Sequence, residues 1–96
     1  VGCGYGLTAH RAAVTAGAHV VGLTLSAAQA AVANARPVPD GVPRPEVVVR
    51  DWLANGLPGA HFDAAWAVES TTHMRERPRV FAEVARVLRP GGRFVL

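Results

Sequence analysis

The 96-residue sequence has no lysine, a single cysteine and no long apolar run, and each lack narrows what the chain can do. With Cys3 alone, no disulfide can close within the chain and no cysteine-rich metal cluster can form. A membrane-spanning helix needs roughly 18 or more consecutive apolar residues, and no run here approaches that. The opening residues also lack the charged, apolar and small-residue regions of a secretory leader, so a cytoplasmic location is the expectation. All ten basic residues are arginine, and against seven acids they leave a net charge of +3. Nucleic-acid binders gather such residues on one face. Arg11, Arg36, Arg44, Arg50 and Arg86 are instead dispersed along the chain, so no nucleic-acid partner is expected.

Half of the residues are apolar and 18% are charged, the composition of a packed globular interior. Short β-branched runs alternate with alanine-rich stretches, which implies parallel strands joined by helical crossovers. Val1 reads as the last residue of a first strand, and Gly2-Cys3-Gly4-Tyr5-Gly6 as the turn into a helix over Leu7–Ala16, capped by Gly17. His19–Leu23 is the second strand. Ser26-Ala27-Ala28-Gln29 has the spacing of a capping box that opens a helix over Ala27–Arg36. Pro37, Pro39, Pro43 and Pro45 exclude regular structure from the stretch they share. Glu46–Arg50 and Phe62–Val68 are the third and fourth strands. Val80, Phe81, Val84, Val87 and Leu88 share one face of a helix over Pro78–Leu88. Pro90-Gly91-Gly92 should end that helix, and Phe94-Val95-Leu96 should begin a fifth strand. Both termini thus read as cut within an element.

Gly2-x-Gly4-x-Gly6, after a strand and before a helix, is a place where backbone can approach a ligand closely, because glycine has no Cβ and tolerates positive φ. The dinucleotide fingerprint spaces its glycines G-x-G-x-x-G. Here position 7 is Leu and the third glycine comes one residue early, which disfavours a nicotinamide or flavin dinucleotide. Asp51-Trp52 closes the third strand at the carboxyl edge, where ligands of open α/β sheets collect. The Asp51 carboxylate can accept from an exocyclic amino group and Trp52 can offer an aromatic face to a ring; equally, the pair can be a turn residue beside a core aromatic. Glu69 and His73 follow the fourth strand at the same edge. An imidazole, with an unperturbed pKa of about 6.5, suits a general base. Equally, Glu69 can cap the segment that follows and His73 can be a surface residue. One Glu and one His four apart lack the further ligands a zinc site needs, so no metal is expected.

These segments resemble the class I methyltransferases, whose first motif reads Val-Gly-Cys-Gly-x-Gly as residues 1–6 do. Thr24-Leu25-Ser26-x-x-Gln29, Asp51-Trp52, Phe62-Asp63, Glu69-Ser70-x-x-His73-Met74 and Leu88-Arg89-Pro90-Gly91-Gly92 follow in the same order. They are similar to segments of the tocopherol and sterol methyltransferases, the cyclopropane-fatty-acid synthases and the antibiotic sugar O-methyltransferases. The resemblance implies an α/β fold with a Rossmann-like, doubly wound, mostly parallel sheet and helices on both faces. Residues 1–96 would be part of such a domain, with an acidic residue just ahead of Val1 and the first strand at the centre of the sheet.

The cofactor so implied is S-adenosylmethionine, held by Gly2, Gly4, Gly6, Thr24, Leu25, Gln29, Asp51 and Trp52. Many class I enzymes place an acid where Thr24 stands. In the similar subfamily the Thr and Gln of Thr-Leu-Ser-x-x-Gln grip the ribose instead, although Gln29 can equally serve only the capping box. The implied reaction is methyl transfer to a small-molecule acceptor, with His73 and Glu69 as catalytic candidates. A natural-product or sugar hydroxyl is favoured over C-methylation of an isoprenoid or lipid, because His73 supplies a base. A non-catalytic cofactor-binding segment is the alternative of a different class. Cys3 reads as a small packing residue, and His10, His19 and His61 as structural or exposed. Arg75, Arg77 and Arg79 read as solvated, with recognition of an acidic substrate as the functional alternative.

Overall fold

The computed structural model describes residues 1–67 and 75–95. Along them run α1 (Leu7–Ala16), β1 (Val21–Thr24), α2 (Ala27–Ala35), β2 (Glu46–Val49), a single 3-10 turn (Trp52–Ala54), β3 (Phe62–Trp66), α3 (Arg77–Val87) and β4 (Leu88–Val95). Among the described residues no helix is long and apolar enough to cross a membrane.

Glycine sets both limits of α1. Gly6 and Gly17 are left-handed, with φ of 74° and 64°, and the Gly17 N–H returns to the Ala13 carbonyl. α2 starts at Ser26, whose hydroxyl accepts from the Gln29 N–H at 3.2 Å. The expected reciprocal arm does not form. Gln29 turns its side chain to Thr24, and Thr24 Oγ1 accepts the Ser26 N–H that the box would have used. At the other end Arg36 precedes Pro37 and is extended, with φ −67° and ψ 126°, so α2 stops one residue earlier than expected.

β1 and β2 pair in parallel, Val21 opposite Glu46 through Thr24 opposite Val49. β3 and β4 pair in parallel as well, Phe62 opposite Leu88 and then Ala64 opposite Arg93. Two residues of β3 thus span five of β4. The excess is taken up by a bulge containing Pro90-Gly91-Gly92, which corrects the expectation that this tripeptide separates helix from strand. Strand pairing begins at Leu88, directly after α3, and the left-handed Gly91, at φ 80°, lets the chain return to register.

The parallel sheet is therefore present as two ladders rather than one continuous sheet. Residues 1–3 join them: the Val1 nitrogen donates to the Trp66 carbonyl at 3.2 Å, and the Cys3 N–H to the Leu23 carbonyl at 2.8 Å. Val1 is not itself part of a strand, but its segment lies between β1 and β3, where the resemblance puts the first strand. Elsewhere the ladders face each other across an open groove lined by Val20, Val21, Leu57, Phe62, Ala64 and Trp66.

Alternation along the strands distributes the layers. Leu23 joins Trp52, Val80, Val84 and Val87 in a buried cluster, with Val21 and Val48 packed against it. Phe81, expected on the same face, is 38% exposed, its ring edge-on to Phe94 with centroids 5.8 Å apart. Gly22 and Val47 point the other way. A Cβ on Gly22 would lie 2.8 Å from Cys3 Sγ, and one on Gly6 would lie 2.9 Å from the Ala33 Cβ of α2 and 3.6 Å from Val47. Helices therefore cover both faces, α3 on one and α2 on the other. Asn34 of α2 also reaches the outer side of β2. Its Nδ2 donates to the Val47 carbonyl at 2.7 Å, and its Oδ1 accepts the Val47 N–H at 3.0 Å.

Gly6→Ala should destabilise the full-length protein twice over, through about 1 to 2 kcal/mol for a left-handed alanine and about 1 to 3 kcal/mol for overpacking against Ala33. Urea unfolding checks this, and a midpoint equal to wild type would refute the packing role of Gly6. Expressed alone, residues 1–96 should give no cooperative thermal transition by circular dichroism, because so few hydrogen bonds hold the ladders together. A sharp transition from a monomer would show that residues 1–3 suffice.

Candidate functional site

Parallel strands bring their carboxyl ends to one edge, and here the hydrogen bonds align those ends closely. The Cys3 N–H bonds the Leu23 carbonyl at the end of β1, and the Arg50 N–H bonds the Thr24 carbonyl just beyond β2. The glycine loop, the Thr24–Gln29 segment and Asp51 thus stand side by side. Three of the sequence motifs meet at this edge.

In the glycine loop Gly2, Gly4 and Gly6 all have positive φ, at 60°, 56° and 74°. Their surroundings separate their roles. Gly6 is buried against α2, whereas a Cβ on Gly4 would meet nothing within 4 Å, so Gly4 presents backbone to open space. The loop is tied down from α2 and the proline-rich loop behind it. Arg36 Nη1 donates to the Tyr5 carbonyl at 2.9 Å, Arg44 Nη1 donates to the carbonyls of Arg36 and Asn34, and His10 Nε2 lies 3.0 Å from the Pro37 carbonyl. Burial pushes the Cys3 thiol above its ordinary value, which suits a neutral packing group rather than a nucleophile.

Thr24 is buried, 5% exposed, and its hydroxyl donates to Gln29 Oε1 at 2.8 Å. That bond fixes the Gln29 carboxamide with its oxygen engaged and leaves the Nε2 donors without a partner among the described residues. Leu25 follows at 77% exposure, a large apolar side chain at the mouth of the site. One Asp51 oxygen accepts from the Leu53 N–H at 2.9 Å and so caps the 3-10 turn. The residue is otherwise exposed, and its second oxygen has no partner among the described residues. Trp52 is 6% exposed, and its Nε1 donates to the Val80 carbonyl at 3.1 Å. Its ring is committed to the core beneath the site, so what the residue offers at the edge is backbone rather than an aromatic face.

Glu69 and His73 lie outside the described residues. Arg75 and Arg77 are exposed, and Arg79 pairs with Glu76 at 2.9 Å with both side chains open to solvent. Sequence reasoning missed Arg36, Asn34 and Asn55, all of which brace the site. The partners of Arg36 and Asn34 lie far away in the sequence, so no local pattern marks their role, and the Asn55-Gly56 pair reads only as a turn.

A family model described as a methyltransferase domain matches residues 1–96. The chain is 40% identical to the 27-O-demethylrifamycin SV methyltransferase of Amycolatopsis mediterranei (strain S699), covering 100% of this chain and 36% of that one. It is 38% identical to 24-methylenesterol C-methyltransferase 2 of Oryza sativa subsp. japonica, covering 99% and 26%. It therefore spans only about a quarter to a third of the length of these relatives. Among solved structures, a geranyl diphosphate methyltransferase in complex with SAM superposes with a TM-score of 0.88 at 36% identity, covering 98% of this chain and 38% of that one. With a family model matched over residues 1–96 and these relatives alongside, the chain belongs to the methyltransferase-domain family.

Proposed function

We propose that this domain binds S-adenosylmethionine along the carboxyl edge of its sheet and takes part in transferring the methyl group to a small-molecule acceptor. The observation that carries the reading is the Thr24–Gln29 pair. Where an acid would be expected, a buried hydroxyl holds a carboxamide oxygen at 2.8 Å and leaves that carboxamide's N–H donors without a partner among the described residues. Those donors suit ribose hydroxyl oxygens. The other residues present fit the same ligand. Gly4 offers backbone with room for a chain to pass, Leu25 offers exposed apolar surface to a purine, and the second oxygen of Asp51 can accept from an adenine amino group.

When bound, S-adenosylmethionine supplies an electrophilic methyl carbon on a sulfonium. The task of the chain is alignment, because holding donor and acceptor in line can contribute about 7 to 11 kcal/mol. In this reading His73 takes the proton of an acceptor hydroxyl, a contribution of roughly 10² to 10⁴ in rate, and Glu69 orients the acceptor. That role favours O-methylation of a natural-product or sugar hydroxyl. C-methylation is the second reading, supported by the sterol C-methyltransferase among the relatives; Glu69 would then face developing positive charge on an alkene.

In the full-length protein, Asp51→Ala should weaken S-adenosylmethionine binding by about 1 to 3 kcal/mol, the range for leaving a hydrogen-bonding partner unsatisfied. Titration calorimetry measures it, and unchanged affinity would remove Asp51 from the site. Replacing His73 by Ala should lower turnover far more than cofactor affinity, and wild-type activity should fall as the pH drops and the base is protonated. Full turnover in the variant would exclude the base role and shift weight to C-methylation.

A further inference from the structure

Asn55 is polar yet has no accessible surface, and every hydrogen-bonding group of its side chain is used. Nδ2 donates to the Trp52 carbonyl at 2.7 Å and to Glu83 Oε1 at 3.3 Å, while Oδ1 accepts from the Leu57 N–H at 2.8 Å and from Arg86 Nη2 at 3.0 Å. Its own carbonyl accepts from Arg50 Nη1 at 2.8 Å. Arg86 closes the arrangement, donating through Nη1 to the Leu57 carbonyl at 2.8 Å and through Nε to Glu83 Oε2 at 2.7 Å. One carboxamide therefore holds both ends of the loop from Trp52 to Leu57 and fastens them to α3.

Burying an amide gains little stability over an apolar side chain of similar size, because desolvation offsets most of what the bonds return. What a fully paired buried network does provide is a fixed geometry. The loop it fixes begins at Asp51, whose carboxylate has only the Leu53 N–H to orient it among the described residues. The helix to which it is fixed begins at Arg77, three residues beyond the Glu69–Met74 segment. We propose that Asn55 is a positioning residue for the cofactor: with Glu83 and Arg86 it sets the Asp51 loop rigidly against α3, so that the adenine side of the site and that helix move as one body. This inference rests on the reading of Asp51 as the adenine partner.

The test is titration calorimetry of the full-length protein with S-adenosylmethionine, reading dissociation constant and stoichiometry separately. Asn55→Asp turns the donor that faces the Trp52 carbonyl and the Glu83 carboxylate into an acceptor. Binding should weaken about tenfold with stoichiometry unchanged, since a displaced Asp51 forfeits its hydrogen bond to the ligand, worth about that factor. Adding Glu83→Gln restores a donor opposite the introduced carboxylate, though not toward the Trp52 carbonyl, and should recover part of the lost affinity. Where Asn55→Asp fails to fold, Arg86→Lys serves, because it keeps the charge beside Glu83 but loses the fork to Asn55 and Leu57; it should weaken binding in the same direction. A purely structural role would lower stoichiometry through loss of folded protein while leaving the constant alone, and that result would overturn the proposal. Equal constants for wild type and the single variants, or a double variant as weak as Asn55→Asp, would do the same. A wild type that binds no S-adenosylmethionine would instead overturn the cofactor reading, and this inference with it.

Discussion

A buried backbone N–H or carbonyl must find a partner, and at the buried Leu23 of β1 that partner is supplied by residues 1–3. Among the described residues the two parallel ladders do not pair with each other. They are joined where the Val1 nitrogen meets the Trp66 carbonyl and the Cys3 N–H meets the Leu23 carbonyl. The site depends on that seam. The glycine loop leaves directly from it, so the position of Gly4 beside Thr24 is set by the bond that anchors Cys3 at the end of β1. Beyond it, the Arg50 N–H on the Thr24 carbonyl carries the same alignment to Asp51. The residues proposed to face the ligand, far apart in sequence, are thus held at one edge by main-chain bonds, and side chains only refine the arrangement.

The refinement comes from polar side chains that reach across long sequence intervals. Arg36 holds the glycine loop through the Tyr5 carbonyl, and the Asn55, Glu83 and Arg86 group holds the loop after β2. The Arg86 guanidinium beside Glu83 also keeps that carboxyl below its ordinary range through their hydrogen bond. The sign follows from the direction of the shift: the contribution of the pair is present above the ordinary glutamate range and fades as the pH falls through the lowered value. Both groups are partly exposed, which makes the effect small and sensitive to salt.

Elements governed by local chemistry were legible in the sequence. Gly6 and Gly17 delimit α1, Ser26 starts α2, the prolines from Pro37 stop it, and the valine run makes β2. The alternation of β-branched runs with alanine-rich stretches implied the parallel pairing, and the family resemblance, borne out by the family match, supplied the order of motifs. What escaped were features whose cause lies elsewhere in the fold. Pro90-Gly91-Gly92 reads as a break because nothing local shows that β3 is waiting to pair with residues on either side of it. Gln29 satisfies the spacing of a capping box, but Thr24, five residues away, is the better partner once β1 has placed its hydroxyl. Trp52 beside Asp51 looks like a ligand-facing aromatic until α3 supplies both the apolar surface and the Val80 carbonyl that draw it inward.

The Asn34 carboxamide bears on how the molecule meets other molecules. An outer strand normally leaves alternate N–H and carbonyl groups open, and these are what a foreign strand uses to add itself to a sheet. At Val47 both groups are already engaged by the two ends of one side chain, which imitates the backbone of a neighbouring strand. An intruding chain would have to expel that carboxamide before it could pair in register. Growth of the sheet by addition along β2 is therefore opposed at Val47, where the carboxamide already occupies the place of the strand that would have to pair.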